Sequence, residues 1–372
     1  MPIFMDLHIG QDLTPEDVAI AHQADVRIQD RYGCKCLTYW IDVQKSNAYC
    51  LIDAPNKEAV FELHRNSHKQ FPDEIIEVDP RVVKAFLGRT HDPEVVDYMI
   101  DQKIKVFNDP AFRVVLLVST RDKLELTSEF GSEKASAMLK RFNAMVQTSI
   151  ARYDGVAAER EGQDLIATFT SATQAVLCSI RISDFLQSVR QDLGMGVGIH
   201  AGTPVDHSHK LFGSTLRLAR FFAGIISEDE ILISGTVRDL LERSGKQSLA
   251  KPGSHNLRFF TKTEEQFLVK LVNVLCENWQ DSEFEIEDWC QEMSMSKTKL
   301  YRRCIDTTGM SSIRLLKEFR LKKAKGLLWE SDKNVAQTAF ESGFNSPSYF
   351  TRCFQKRFGL KPHNYSDFKD YK

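Results

Sequence analysis

The chain has 372 residues, 42% hydrophobic and 27% charged, which suits two or three soluble domains and excludes a wholly disordered chain. Its 49 Lys and Arg nearly balance 51 Asp and Glu, and its 8 Cys show no disulfide-scaffold spacing, so a cystine-stapled secreted domain is excluded and a reducing cytoplasm is expected. No apolar run approaches about 18 residues and the opening Met1–Asp6 carries no basic stretch, so neither a membrane span nor a secretion signal is expected.

Residues 2–9 alternate as a strand. Thr14-Pro15-Glu16 opens a helix with a cap, a first-turn proline and an acid, and that helix runs to about Tyr32 before Gly33 stops it. Lys35–Val43 and Asn47–Asp53 read as strands around the turn at Lys45-Ser46-Asn47. Ala54-Pro55-Asn56 precedes a helix through about Gln70, and Glu74–Val78 is a further strand. The order β-α-β-β-α-β is the split βαβ, ferredoxin-like arrangement, assigned to residues 1–80. Residues 81–110 read as a helical connector, with Asp92-Pro93 as a start and Asp109-Pro110 as a stop.

Residues 111–245 form a second α/β pattern. A buried-strand run at Phe112–Val118 is followed by a helix at Ser132–Arg152, a hairpin across Val156–Phe169, a helix at Ser171–Asp192 and a strand at Met195–Ala201. Glu230–Ser234 is the final strand and leads to a helix at Thr236–Arg243. The Gly, Ser, Lys and Pro of 244–254 mark a linker over 246–263. Residues 264–372 contain no good strand and read as all helical. The whole is therefore α+β and multidomain.

Charge and histidine are unevenly placed. Between Ser294 and Lys361 stand 15 Lys or Arg against 5 Asp or Glu, a surplus of +10 that points to a polyanionic partner. There, Glu285–Met293 is a short helix, Ser294-Met295-Ser296 a turn, and Ser296 a cap for Lys297–Cys304, with Leu300 and Cys304 inward. The pattern recurs: Val335–Ser342, a tight turn at Gly343, then Ser346-Pro347 capping Ser348–Phe358. The long basic helix Arg314–Leu328 lies between them and sets their spacing. A short helix, a tight turn and a second helix with polar residues at its start is the helix-turn-helix geometry, whose second helix enters the major groove.

The segment from Glu285 to Tyr365 resembles the AraC/XylS-type DNA-binding domain. The match rests on Ser296, Leu300, Arg302, Gly309, Phe319-Arg320-Leu321, Ala339, Gly343-Phe344, Ser348-Tyr349-Phe350, Phe358-Gly359, Pro362 and Tyr365. Ser312 and Ser294 depart from it, standing where a proline and a glycine are usual. The resemblance implies double-stranded promoter DNA as partner. It places base-facing positions at Lys297, Thr298, Tyr301 and Arg302, and at Ser346, Pro347, Ser348, Tyr349 and Arg352. Lys356 belongs with the second set on charge. Arg suits guanine, and Ser and Tyr hydroxyls suit phosphate or either base. These units are expected to stand on a core of their own.

Residues 112–243 resemble a class III nucleotide cyclase through Gly196-Val197-Gly198-Ile199-His200-Ala201-Gly202, Gly162 with Leu165–Phe169, Phe212-Gly213 and Ile231–Ser234. Such an enzyme needs two metal-binding carboxylates, an Asn and an Arg. Ser119 or Thr120, Gln163, Arg217 and Phe221 occupy those positions, with Asp164 displaced by one residue. No enzymatic activity is expected, which leaves a dimerising scaffold or a pocket for a nucleotide-like ligand.

Four of the ten His fall within the first 68 residues. His64 and His68, four apart, project from one helix face that is expected to be accessible, a standard way to present two nitrogens to a transition metal. His8 ends the first strand, His22 lies on the first helix, and Cys50 lies on a strand that neighbours the first. Imidazole with thiolate suits zinc, nickel, copper or cobalt. Met5–His8, Ala21–Asp25, Tyr39-Trp40, Tyr49–Ile52, Ala54-Pro55 and His64 through Val78 resemble a small nickel-binding ferredoxin-like family, which implies nickel and a homodimer. One ion held by all five residues and two separate ions both stay open. Cys34 and Cys36 read as structural, His207 and His209 as solvated. The joint expectation is a cytoplasmic regulator with a metal-sensing front, a cyclase-like middle and a DNA-binding tail. Its rivals are an effector held in the middle domain, the front being only a dimer interface, and an enzyme with an appended DNA-binding domain.

Overall fold

The structure, a computed structural model, describes every residue except 102, 159–163, 190–192, 207, 227–229, 247–248, 250–255, 331–332 and 368–372. It begins with β1 (Ile3–Ile9), α1 (Pro15–Ile28), β2 (Lys35–Asp42), β3 (Asn47–Asp53), α2 (Lys57–Ser67) and β4 (Glu74–Val78). The sheet is antiparallel in the order β2-β3-β1-β4, as a split βαβ unit requires. Local chemistry sets the boundaries. Thr14 and Asp17 cap α1 reciprocally ahead of Pro15, Asn56 caps α2, and Gly33 takes the left-handed φ of 63° that ends the first helical stretch.

Both faces of this sheet are buried, against different partners. Phe4, Tyr39, Cys50 and Ile52 face α1 and α2. Met5, Trp40, Tyr49 and Leu51 share a core with Val115, Leu117 and Ile166 of the next domain, and with Phe86 of α3 (Pro80–Leu87). The connector is helical only through α3. Beyond Gly88 it forms a hairpin of β5 (Tyr98–Ile100) and β6 (Ile104–Val106), too short for alternation to register in the sequence.

The middle of the chain supplies β7 (Arg113–Ser119), α4 (Lys123–Phe130), α5 (Ser132–Arg152), β8 (Val156–Ala157), β9 (Leu165–Phe169), α6 (Ala172–Val189), β10 (Gly196–Gly202), α7 (Gly213–Phe221), β11 (Ile231–Ile233) and α8 (Gly235–Arg243). A π-helical stretch, Phe222–Ile226, extends α7. β12 (Leu257–Phe259) then pairs parallel to β11, completing a sheet of order β12-β11-β10-β7-β9-β8. The stretch expected to be a linker thus contains an edge strand, and Glu230–Ser234 is not the last strand. Gly198 has a packing role: an added Cβ would sit 2.0 Å from the Ala219 carbonyl oxygen, so α7 reaches the sheet only over bare backbone.

Among the described residues seven helices follow: α9 (Lys262–Asn278), α10 (Ile286–Met293), α11 (Lys297–Thr308), α12 (Ser312–Glu330), α13 (Val335–Glu341), α14 (Pro347–Phe358) and α15 (Pro362–Asp367). The expectation of a separate core fails for the first helix-turn-helix unit. Leu268, Leu271, Trp289 and Leu300 form one apolar cluster with Phe221, Phe222 and Leu232 of the middle domain. The second unit has its own cluster, around Leu321, Phe350, Phe354 and Tyr365.

Candidate metal centre and nucleic-acid interface

Three imidazoles converge where β1 meets α2. The His8 and His64 rings are 4.9 Å apart, His64 and His68 5.0 Å, and His8 and His68 6.1 Å. Two carboxylates stand among them. His64 Nε2 lies 2.7 Å from Asp6 Oδ2, and its Nδ1 3.3 Å from Asp25 Oδ2. His68 Nε2 is 3.3 Å from Asp25 Oδ1. Two overlapping donor groups result, Asp6-His8-His64 and Asp25-His64-His68, each with its ligand atoms within 4.8 Å of one another.

Sequence reasoning missed both carboxylates. Asp6 is two residues before His8 on one strand and Asp25 three after His22 on one helix, so Asp-x-His and His-x-x-Asp were the available signals. It also misjudged His64. The ring is fully buried between α2 and the sheet, because the helix face that carries it is the one that packs; His68 stays at the rim with 12% of its side chain exposed.

Burial disfavours ionised Asp6, yet His8 and His64 hold its carboxyl well below the usual range. Asp25 is likewise held low, burial being overcome by hydrogen bonds with His64 and His68. Burial also opposes a charged His64, but Asp6 and Asp25 push it up to about 10. The metal-free cluster is therefore an imidazolium between carboxylates, and a ligating role for His64 requires that proton to leave. His8 is different. It is buried, its nearest carboxylate oxygen is 3.5 Å away, and neither ring nitrogen has a hydrogen-bond partner. An orphaned buried polar group costs about 1–3 kcal/mol, a cost that makes sense where the group is reserved for a ligand.

His22 and Cys50 are not in either donor group. Both line an adjoining cavity of about 20 Å³, together with His8, Asp25 and His68. His22 Nε2 lies 3.8 Å from Asp92, and its ring leans on Tyr39. Cys50 pairs with Asp6 in register, and its backbone N–H donates to Asp6 Oδ1 at 3.0 Å. Burial, with Asp6 nearby, pushes its thiol well up. A donor set of imidazoles and carboxylates fits nickel, zinc, copper or cobalt. His209 is exposed and pairs with Glu74 at 2.8 Å; His207 lies outside the described residues.

At the other end, Ser294 makes the turn of the first helix-turn-helix unit with a left-handed φ of 54°, and Ser296 caps α11 by accepting from the Lys299 N–H. Lys297, Thr298, Tyr301 and Arg302 are exposed along α11, while Leu300 and Cys304 are buried. In the second unit Gly343 has φ 74°, and a Cβ there would meet the Trp279 carbonyl oxygen at 2.6 Å. The Ser346 hydroxyl accepts from the Tyr349 N–H, which commits its oxygen to the cap. Ser346, Ser348, Tyr349, Arg352 and Lys356 are exposed and Pro347 is half-buried. The Arg352 guanidinium lies 5.9 Å over the Tyr349 ring.

In the middle domain, Ser119 ends β7 where a cyclase-type carboxylate is sought, and Gly162 and Gln163 lie outside the described residues. Asp164 is paired with Arg220 at 3.0 Å, and Arg217 donates to Asn273 at 3.0 Å.

The chain thus joins a paired helix-turn-helix domain to a small α+β domain with a buried His/Asp cluster. Residues 289–367 match the family model of a helix-turn-helix domain, and residues 4–78 that of the nickel responsive protein SCO4226-like family. The HTH-type transcriptional regulator ExsA of Pseudomonas aeruginosa is 30% identical over 102 residues, 27% of this chain and 37% of that protein. The histidine kinase P4 of Formosa agariphila is 28% identical over 142 residues, 38% of this chain and 10% of that protein. The crystal structure of SCO4226 from Streptomyces coelicolor A3(2) is 34% identical over 20% of this chain and 94% of that one, with a TM-score of 0.20. The chain spans well under half the length of these two regulatory relatives. Residues 4–78 are thus similar to the SCO4226-like family, and the C-terminal helices to AraC-type helix-turn-helix domains.

Proposed function

We propose that the chain is an AraC-type transcription regulator, acting in the cytoplasm as a homodimer, whose binding to promoter DNA responds to nickel. Zinc, copper and cobalt are the alternatives the same donors accept. The observation that carries this reading is His8, a buried imidazole with neither nitrogen in a hydrogen bond, beside two further imidazoles and two carboxylates in a chain that carries two capped helix-turn-helix units.

In this reading, residues 1–80 sense, 111–245 relay and 264–372 bind DNA. His8, His64 and His68 with Asp6 and Asp25 hold the ion, and His22 and Cys50 line its approach. The metal supplies a cross-link that draws β1, α1 and α2 together. Asp6 and His8 point to one face of β1; Met5 on the other face belongs to the core shared with Phe212 and Ala219 around α7. Leu218 and Phe221 of α7 belong in turn to the core shared with the first helix-turn-helix unit. A contiguous packed route thus runs from the cluster to α11. The relay is read as cyclase-like and catalytically silent, supported by Ser119 and Thr120 where an acid is required.

DNA contact is assigned to Lys297, Thr298, Tyr301 and Arg302, and to Ser346, Pro347, Ser348, Tyr349, Arg352 and Lys356, with affinity falling steeply as salt rises. Calorimetry of untagged chain with nickel tests the sensor: binding of nickel that His8→Ala and His68→Ala each weaken is expected. Nickel bound equally tightly by both variants places the ion elsewhere.

A further inference from the structure

Lys322 stands between two cavities at the seam of the middle domain and α12. One, of about 210 Å³, opens toward Asp122; the other, of about 630 Å³, lies between α7 and α12. Asp164, Lys322 and Gly326 line both. The larger lobe has the size of a small-molecule site, for which roughly 300–1,000 Å³ is usual.

Its charge is unbalanced. Arg217, Arg220, Lys322 and Lys323 line it, and Asp164 is the acid among the described lining residues. Asp164 is committed to Arg220, and Arg217 to the neutral amide of Asn273. Lys322 and Lys323 make no hydrogen bond or ion pair among the described residues. Burial pushes the Lys322 ammonium down from the usual lysine range, with Asp164 opposing and Lys325 and Arg220 adding to the shift; Lys323, whose charged end is exposed, is lowered by the burial of its stem and by Arg220. Four cations around a single carboxylate leave the concavity short of counter-charge, which favours an anion. One wall carries the Trp279 and Phe319 rings, with the Lys323 ammonium 5.5 Å from the Phe319 ring centroid and 5.9 Å from that of Trp279.

Gly326 adds an independent observation. It lies inside α12, where glycine weakens a helix, and it has no positive φ to justify it. An added Cβ would meet nothing within 4 Å. Bare backbone there keeps the cavity open between the lobes.

We propose that this cleft binds a small organic anion carrying at least two carboxylate or phosphate groups on a flat ring. The anionic groups pair with Lys322, Lys323 and Arg217, and the ring lies against Trp279 and Phe319. Because α12 joins the two helix-turn-helix units, occupancy fixes their relative placement, giving the chain a second effector beside the metal.

The test uses the full chain at fixed ionic strength, with ATP, benzene-1,2,4-tricarboxylate and pyrophosphate as probes, read by calorimetry and tryptophan fluorescence. The two ring-bearing probes bind, and pyrophosphate binds at least about tenfold more weakly. Lys323→Gln, at an exposed side chain, weakens both ring-bearing probes about tenfold or more, and Gly326→Leu abolishes their binding; both variants keep the nickel affinity of the unmodified chain. If Gly326→Leu does not fold, Lys323→Gln decides alone. Absence of binding at millimolar probe, or binding unchanged in Lys323→Gln, overturns the proposal. So does displacement of the probes by random duplex DNA with Lys323→Gln weakening that DNA equally, since the cleft is then a contact for the DNA backbone.

Discussion

The two helix-turn-helix units have the same local architecture and opposite attachments to the rest of the chain. The first is welded by apolar packing, since Trp289 and Leu300 share a core with Phe221 and Phe222. The second keeps its own core and is clasped mainly by charge. Lys325 Nζ lies 2.6 Å from Asp122 Oδ2 and also bonds Glu125, while the Tyr365 hydroxyl shares its one proton between Asp122 at 2.9 Å and Glu125 at 3.2 Å. Leu124 of α4 also packs against that core. An apolar weld has no alternative partner short of unfolding, whereas water or another ion can replace an ionic clasp. The two units are therefore attached by different forces, apolar burial for the first and a largely buried charge cluster for the second.

Breaking the weld has the largest expected effect. Phe222→Ala removes a fully buried ring stacked 4.9 Å from Phe260 and should cost about 3–5 kcal/mol. Hydrogen exchange should show α7 and α11 losing protection together; loss confined to α11 would mean the two are not one unit. Lys325→Met leaves Asp122 and Glu125 buried without their cation. For a lysine with 22% of its side chain exposed we discount the usual 3–5 to about 2–3 kcal/mol, lost from α13–α15 rather than from the sheet. Exchange protection that falls equally everywhere contradicts a separable second unit.

Arg302→Ala and Arg352→Ala should each cost about 1–3 kcal/mol on a cognate site if they read bases. Equal losses on random DNA would make them phosphate contacts. Combining each with Lys325→Met sharpens the comparison: the cost of Arg352→Ala should change, that of Arg302→Ala should not.

The smallest effect is Tyr365→Phe, about 1 kcal/mol for bonds shared between two carboxylates. Acid should mimic it. Burial raises Asp122, but the Lys325 charge outweighs burial and lowers it overall. Its stabilising contribution is therefore present above the usual carboxylate range, near pH 4, and lost as pH falls through the lower folded value. Glu125 has the opposite sign, raised by burial and by Asp122, so it offsets part of the gain as pH climbs through that range. Thermal melting should show the acid loss in the unmodified chain and a smaller one in Lys325→Met.

What could be read from sequence was set by how local the signal was. The βαββαβ order and both helix-turn-helix units announce themselves through caps and turns a few residues long: Thr14-Pro15, Gly33, Ser296, Gly343 and Ser346-Pro347. Short elements carry no period, so β5, β6 and β12 were missed, and so was α4, where Glu125 and Leu126 are both buried. At the metal centre the histidines stood out by scarcity, but Asp6 and Asp25 are two acids among 51 and gain meaning only when α2 folds over β1. The weld was illegible for a similar reason. The packing of Leu271 against the cluster that contains Phe222 joins residues about fifty positions apart, which no local pattern records.

The central claim is that the His/Asp cluster controls the DNA-binding tail. His8→Ala tests it most directly, because neither ring nitrogen has a hydrogen-bond partner and its removal loses only the 3.5 Å charge contact with Asp6, which keeps its bond to His64. The measurement is the affinity of a promoter fragment, by fluorescence anisotropy, with and without nickel, for the unmodified chain and His8→Ala. The account predicts that nickel shifts the affinity of the unmodified chain by about 5–150-fold, that His8→Ala binds as tightly as the unmodified chain without nickel, and that the shift is lost in the variant. A full nickel shift in His8→Ala would contradict it.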